Sequence, residues 1–123
     1  MTKAHLIAVV DDDESVRESL PDLLRSFGYD VDAFESAEAF LASGPAPNIA
    51  ALVLDIVMPG MSGPELSQEL KRRGLNIPTI FMTAQSGGTK PEDLLKRGAV
   101  AFLLKPFDPV LLIDALKTAL PNP

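Results

Sequence analysis

Cysteine is absent from the 123-residue sequence, and basic residues are scarce. Without cysteine the chain can form no disulfide and offers no thiolate for catalysis or metal binding. Its 11 Lys and Arg residues are outnumbered by 17 Asp and Glu residues, which gives a formal net charge of −6. Because a nucleic-acid backbone attracts basic surfaces, this balance argues against nucleic-acid binding by the domain.

Long apolar segments are missing as well. No apolar run approaches the roughly 18 residues of a membrane span, and residues 1–5 lack the apolar region of a signal peptide. Linker-like composition is confined to residues 43–48. The length and the 46% hydrophobic content fit one globular domain. We expect residues 1–123 to form a single cytoplasmic domain, without membrane contact and without an output domain.

Short apolar runs and amphipathic segments alternate five times along the chain. The runs predict strands at residues 6–10, 29–34, 51–55, 79–82 and 100–104. Helical apolar spacing follows each of them, so we predict a parallel sheet with right-handed crossovers and helices on both faces. Residues 29–34 mix apolar and acidic side chains, which is typical of an edge strand. The pattern therefore predicts a three-layer, doubly wound (βα)5 flavodoxin-like fold of strand order 2-1-3-4-5.

Two of the predicted helices have unusual features. The first would bury an apolar stripe and would be kinked by Pro21; its stripe is Val16, Leu20, Leu23, Leu24 and Phe27. The fourth would be short, would begin with a capping box at residues 89–92, and would bury Leu94 and Leu95.

Polar side chains end four of the five predicted strands. Asp11 and Asp12 follow the first, Asp55 ends the third, Thr83 follows the fourth and Lys105 follows the fifth. Ligands of such sheets bind at the carboxyl ends of the strands, at the switch point between strands one and three. We therefore expect three carboxylates, a hydroxyl and an ammonium to face one crevice.

Charge repulsion indicates what this crevice would bind. Two carboxylates about 4 Å apart repel by roughly 4 kcal/mol at an effective dielectric constant of about 20. Three such acids would take up protons or bind a hard cation such as Mg²⁺. Asp13 and Glu14 are better explained as solvated charges at a helix N-terminus. Taken singly, Thr83 and Lys105 are ordinary strand-end and solvated residues, but together with the acids they fit phosphoryl transfer to a carboxylate.

The same residues resemble a known family. The CheY-like receiver domain of bacterial two-component response regulators carries similar motifs, which here are Val10-Asp11-Asp12, Leu54-Asp55, Met58-Pro59-Gly60-Met61-Ser62-Gly63, Thr83-Ala84 and Lys105-Pro106-Phe107. The resemblance extends from Leu6 to about Leu120. Residues 101–107 are most similar to the FixJ-type subgroup.

This resemblance implies a phosphoacceptor and a metal site. Asp55 would accept a phosphoryl group from a histidine kinase. Mg²⁺ would be held by Asp55, by Asp11 or Asp12, and by the backbone carbonyl of Val57.

The resemblance also implies a conformational switch. Thr83 and Lys105 would contact the phosphoryl oxygens, and Phe102 would turn inward as the Thr83 hydroxyl is drawn towards them. Considered without the family, Phe102 is equally well an ordinary strand aromatic. A cis bond between Lys105 and Pro106 is implied too, and would aim the lysine into the crevice.

The leading interpretation is a phosphorylation-activated signalling domain, not an enzyme, which would catalyse only its own phosphotransfer and autodephosphorylation. It would control an output domain or a downstream partner, and on activation it would form a homodimer or dock a partner through the fourth helix, fifth strand and fifth helix. One alternative is a Mg²⁺-dependent phosphohydrolase, but Val57 stands where its second Asp would be. The other is a pseudo-receiver that only binds, which the intact acids, Thr83 and Lys105 disfavour.

Overall fold

Five strands alternate with five helices in a computed structural model of the chain, which describes residues 5–44, 48–84, 90–96, 98–105 and 108–120. The strands are β1 (Leu6–Val10), β2 (Asp30–Phe34), β3 (Ile49–Asp55), β4 (Thr79–Thr83) and β5 (Ala101–Leu104). The helices are α1 (Glu14–Ser26), α2 (Ala37–Ala42), α3 (Gly63–Arg72), α4 (Pro91–Lys96) and α5 (Pro109–Ala119).

All neighbouring strands are parallel, and their order is β2-β1-β3-β4-β5. The predicted doubly wound, flavodoxin-like α/β fold is thereby confirmed, including the edge position of β2. The central strands are apolar on both faces because helices cover both sides of the sheet. The charged, alternating sequence of β2 fits an edge, where one side of the strand meets water.

Successive side chains of each strand enter two separate core layers. In β1, Ile7 and Val9 join the layer beneath α1 and α5, whereas Ala8 and Val10 join the layer beneath α2, α3 and α4. The first layer also takes side chains from both of its helices, among them Leu20, Leu24, Leu112, Ile113 and Leu116. The second is completed by Ala37, Phe40, Leu66, Leu70 and Leu94.

Side-chain caps fix the starts of the helices at the carboxyl edge of the sheet. Asp13 caps α1 by accepting a hydrogen bond from the Ser15 amide at 2.9 Å. At α3, Ser62 and Glu65 form a capping box. Asp108 caps α5 and accepts from the Val110 amide at 2.9 Å.

The structure corrects two of the predicted helix faces. Phe27 is 53% exposed, because α1 ends at Ser26 and Phe27 already has non-helical backbone angles of φ −96 and ψ 8. Leu95 is 47% exposed, because the short helix α4 directs Leu94 inward instead. The first helix continues through the buried Pro21.

Some predictions fall on residues 89 and 106, which lie outside the described ranges. These are the Thr89 part of the capping box and the Pro106 part of the cis bond. Among the residues that the structure does describe, no helix is long and apolar enough to cross a membrane.

Candidate functional site

Two neighbouring strands bring three carboxylates to one end of the sheet. β1 and β3 are in register with Val10 opposite Leu54, so Asp11 and Asp55 lie at adjacent strand ends. One oxygen from each of Asp11, Asp12 and Asp55 lies within 4.8 Å of the other two. Asp11 is fully buried and Asp55 is 5% exposed, whereas Asp12 faces solvent. The structure therefore brings together the three acids that the sequence predicted to converge.

Asp11 is held by contacts on both sides of its peptide. Its amide donates to the carbonyl oxygen of Phe34 on β2 at 3.1 Å. Its carbonyl oxygen accepts from Arg17 Nη1 at 3.1 Å. Its carboxylate oxygen Oδ1 accepts from the Asp13 amide at 2.9 Å. These bonds fix the turn between β1 and α1 and leave Oδ2 directed to other partners.

Lys105 supplies positive charge to the acids. Its Nζ lies 2.6 Å from Asp11 Oδ2 and 3.6 Å from Asp55 Oδ2. Its backbone amide donates to the carbonyl oxygen of Thr83 at 2.8 Å, which anchors the residue at the end of β5. Burial opposes the charge of this ammonium, but the hydrogen bond and the charge of Asp11 hold the pKa of Lys105 above its usual value.

The carboxyl group of Asp55 is the most perturbed acid of the site. Burial and the neighbouring charge of Asp11 raise the pKa of Asp55 from 3.8 to about 7, although Lys105 partly opposes them. Negative charge is therefore only partly compensated at this strand end. An added cation would favour the ionised form of Asp55, which is the form that can act as a nucleophile.

The donor set fits Mg²⁺. The ion prefers oxygen ligands and is commonly bound through one or two carboxylates, with water and phosphate completing its shell. Asp55 with Asp11 or Asp12 could supply those carboxylates from within the 4.8 Å cluster. Val57, whose backbone carbonyl was predicted as a further ligand, is 54% exposed in the loop directly after β3.

Thr83 and Phe102 occupy different depths of the structure. Thr83 is 1% exposed at the end of β4, where it pairs in register with Leu104 of β5. It therefore lies on the strand between those that carry Asp55 and Lys105. Phe102 pairs with Phe81 further back along the strands and packs, partly buried, against the core layer beneath α4. Phe102 therefore lies two register positions behind the strand end that carries Thr83.

The comparison with protein families decides what this arrangement is. The model of the response regulator receiver domain matches residues 7–117, a range that contains all three acids, Thr83 and Lys105. The chain belongs to the response regulator receiver domain family. This confirms the family that the sequence motifs indicated.

Relatives of this receiver domain include FixJ-type proteins. Transcriptional regulatory protein FixJ of Rhizobium meliloti (strain 1021) is 40% identical over 115 residues, or 94% of this chain and 56% of FixJ. The structure of response regulator StyR matches with a TM-score of 0.87 and 43% identity, over 95% of this chain and 59% of StyR. The crystal structure of FixJ-N matches with a TM-score of 0.82 and 39% identity, over 96% of this chain and 94% of FixJ-N. The receiver chain spans about half the length of the curated relatives it matches.

Sequence reasoning missed residues that shape the loop between β3 and α3 of this receiver domain. Gly63 packs so closely that a Cβ there would overlap the carbonyl oxygen of Asp55. Its amide donates to the carbonyl oxygen of Ile56 at 2.9 Å. Glu38, from α2, accepts a hydrogen bond from the Met61 amide at 2.9 Å. The glycine was visible in the motif, but nothing local in the sequence connects Glu38 to a loop 23 residues away.

Proposed function

We propose that Asp55 is the phosphoacceptor of this receiver domain and that a histidine kinase phosphorylates it in a Mg²⁺-dependent reaction. The observation that carries the proposal is the cluster of three carboxylate oxygens within 4.8 Å, with Lys105 Nζ 2.6 Å from Asp11 and 3.6 Å from Asp55. An anionic phosphoryl group can approach such acids only if cations offset their charge.

Each side chain has a part in the proposed transfer. An ionised Asp55 oxygen attacks the phosphorus, the bond from phosphorus to the kinase histidine breaks, and its electron pair leaves with the imidazole nitrogen. Bound Mg²⁺ would supply the charge neutralisation that the incoming phosphoryl oxygens require. Lys105 turns from the carboxylates to a phosphoryl oxygen, and the Thr83 hydroxyl donates to another. In this proposal the domain catalyses no reaction other than phosphorylation and dephosphorylation of its own Asp55. The reaction takes place in the cytoplasm.

The signal would leave through α4, β5 and α5. Four large apolar side chains on these elements are exposed, and we call them the apolar face: Leu95 at 47%, Leu104 at 58%, Val110 at 57% and Leu111 at 52%. Thr83 is on β4, between the strand that ends in Asp55 and β5, and Phe102 is on β5 together with Leu104 of this face. Because α4 and α5 both contact β5, exposed apolar side chains on these three elements favour docking of a second copy, an output domain or a downstream partner.

The energy available at the site is close to what a switch needs. Moving a two-state equilibrium from 1:99 to 99:1 takes about 5.5 kcal/mol of differential binding. A hydrogen bond to a charged group contributes roughly 1.5–3 kcal/mol. Contacts of the phosphoryl group to Thr83 and Lys105 therefore supply most of the required energy, and the metal or a docked partner completes it.

Mass spectrometry after incubation with acetyl phosphate and Mg²⁺ tests this function. We expect one slowly decaying phosphoryl group on Asp55, no adduct in Asp55→Asn, and a strongly reduced yield in EDTA. Rapid release of many phosphates per protein would favour the phosphohydrolase instead. The absence of any adduct on a folded protein would favour the pseudo-receiver, and an equal yield in EDTA would contradict the metal requirement.

A further inference from the structure

The loop that follows Asp55 receives a contact from an element outside the acid cluster. Glu38 lies in the first turn of α2, and its Oε2 accepts a hydrogen bond from the Met61 amide at 2.9 Å. Gly60, the preceding loop residue, has a φ of +78. A Cβ at Gly60 would lie 2.6 Å from the same Glu38 oxygen. Glycine at this position thus permits both the left-handed turn and the close approach of the carboxylate.

Both ends of this loop are already anchored. At its start, the Ile56 amide donates to the carbonyl oxygen of Met82 at 3.0 Å. At its end, the Gly63 amide donates to the carbonyl oxygen of Ile56 at 2.9 Å, and Ser62 begins the capping box of α3. The bond to Glu38 fixes the part in between, which leads from Val57 to Met61.

We propose that Glu38 is a positioning residue for the cation site. Its carboxylate holds the loop of residues 57–61 in one conformation, and thereby keeps the backbone carbonyl of Val57 available to an ion bound at Asp55. The inference rests on the proposed function, in which Asp55 binds Mg²⁺. Groups that orient metal ligands commonly change metal affinity by about 10- to 100-fold when they are removed. Because Glu38 is exposed and acts through the backbone, we expect a smaller effect of roughly three- to tenfold.

α2 does not depend on this carboxylate for its own structure. The helix is capped by Ser36, whose hydroxyl oxygen accepts from the Ala39 amide at 2.9 Å, and it is held by the buried Ala37 and Phe40. Replacement of Glu38 should therefore leave the fold intact. Removal of a negative charge from the first turn of a helix has a small general cost, which Ala and Gln variants share.

Titration of the protein with Mg²⁺ alone, followed by NMR, provides the first test. Glu38→Ala should bind the ion roughly three- to tenfold more weakly than the unchanged protein. Glu38→Gln keeps an oxygen acceptor for the Met61 amide and should stay within about twofold. The control Glu35→Ala removes an exposed negative charge just before α2 and should also stay within about twofold. If all three variants bound Mg²⁺ equally weakly, the effect would come from the lost negative charge alone and the proposal would be overturned. Unchanged Mg²⁺ affinity in Glu38→Ala would overturn it as well.

Hydrogen exchange at the Met61 amide gives a second readout that needs no metal. We expect faster exchange in Glu38→Ala and restored protection in Glu38→Gln, with circular dichroism unchanged in both. If the unchanged protein binds no Mg²⁺, the metal site of the proposed function fails and the effect on affinity fails with it. If the exchange rate of Met61 is the same in Glu38→Ala, the loop contact itself is refuted, whatever the metal does.

Discussion

The acid site and the apolar face are built in opposite ways. Asp11 and Asp55 end strands that are buried almost throughout, and the Asp11 peptide and carboxylate make four hydrogen bonds or ion pairs. The apolar face is carried by β5, of which three residues are only half-buried and Leu104 is exposed, by the six-residue α4, and by the first turn of α5. The structure therefore combines a preformed chemical site with a weakly packed neighbouring surface.

This difference has a physical consequence for signalling. Segments with few buried apolar contacts open at a lower free-energy cost than core strands do. A phosphoryl group at Asp55 can therefore rearrange α4 and β5 with the limited energy of a few charged contacts, while β1 and β3 remain in place. The predictions below ask whether the two regions differ as much in stability and binding as their packing indicates.

The largest expected effect is a pH-dependent instability of the acid site. The pKa of Asp55 is about 7 in the folded protein and 3.8 as a reference value, so the folded state binds more protons between these pH values. The contribution of Asp55 to the free energy of unfolding is therefore fully present below pH 3.8 and is lost as the pH rises through about 7. Without Mg²⁺, Asp55→Asn should therefore raise the free energy of unfolding at pH 8 by an amount on the order of a few kcal/mol, less the contribution of the lost contact with Lys105.

Urea denaturation from pH 5 to pH 8 measures this effect. The difference in the free energy of unfolding between Asp55→Asn and the unchanged protein should increase as the pH rises. It should decrease when Mg²⁺ is added. The control Asp22→Asn, at an exposed acid on α1, should show no such gap. A constant difference across the pH range would mean that Asp55 is not the destabilising group.

The second prediction concerns the close packing behind Asp55. A Cβ at Gly63 would lie 3.0 Å from the Asp55 carbonyl carbon and 3.1 Å from the Ile56 Cα, and these backbone atoms cannot rotate away. Gly63→Ala should therefore destabilise the protein by roughly 2–3 kcal/mol. The control Gln68→Ala, exposed on the same helix, should change stability by less than about 0.5 kcal/mol. Equal denaturation midpoints for both variants would show that the acid site is not tightly packed.

Much of the architecture and the site could be predicted because both depend on regular patterns. Alternating apolar runs and helical stripes identified all five strands and helices, and the edge-like composition of β2 identified the strand order. Parallel topology then places strand ends together, so Asp11, Asp55 and Lys105 were expected in one crevice before any distance was known.

The remaining features depend on geometry that no short pattern contains. Phe27 continues the helical spacing of α1, yet the backbone leaves the helix one residue earlier and directs its side chain to solvent. The contact of Glu38 with Met61 joins residues 23 positions apart, and it exists only because α2 and the loop after β3 meet in space. Long-range contacts between loops and helices carry no period in the sequence.

A third prediction tests how Lys105 divides its charge between the acids and an incoming cation. Its Nζ lies 2.6 Å from Asp11 Oδ2 and 3.6 Å from Asp55 Oδ2, so the ammonium group competes with a metal ion for these carboxylate oxygens. Lys105→Met should therefore bind Mg²⁺ about tenfold more tightly, which corresponds to about 1.4 kcal/mol. Calorimetric titration measures this change. Lys117→Met, at an exposed residue of α5, serves as the control and should leave the affinity nearly unchanged. Weaker binding by Lys105→Met would contradict the competition.

The smallest effect on stability is expected on the apolar face, where the effect on association should be greatest. Leu104 and Leu111 are 58% and 52% exposed, so replacing both by Ala should change the free energy of unfolding by less than about 1 kcal/mol. Phe27→Ala is a matched control, since Phe27 is 53% exposed at the end of α1 and is not part of the apolar face.

Sedimentation velocity measures the self-association of these variants with and without beryllium fluoride and Mg²⁺. Beryllium fluoride serves here as a stable analogue of the phosphoryl group on Asp55. The unchanged protein and Phe27→Ala should self-associate on activation, whereas the Leu104 and Leu111 double variant should stay monomeric, because large apolar side chains dominate such interfaces. Loss of association in Phe27→Ala alone would move the interface to α1. If the double variant associated normally while its stability fell by several kcal/mol, these leucines would be core residues, and the contrast between a rigid site and a loosely packed output surface would be wrong.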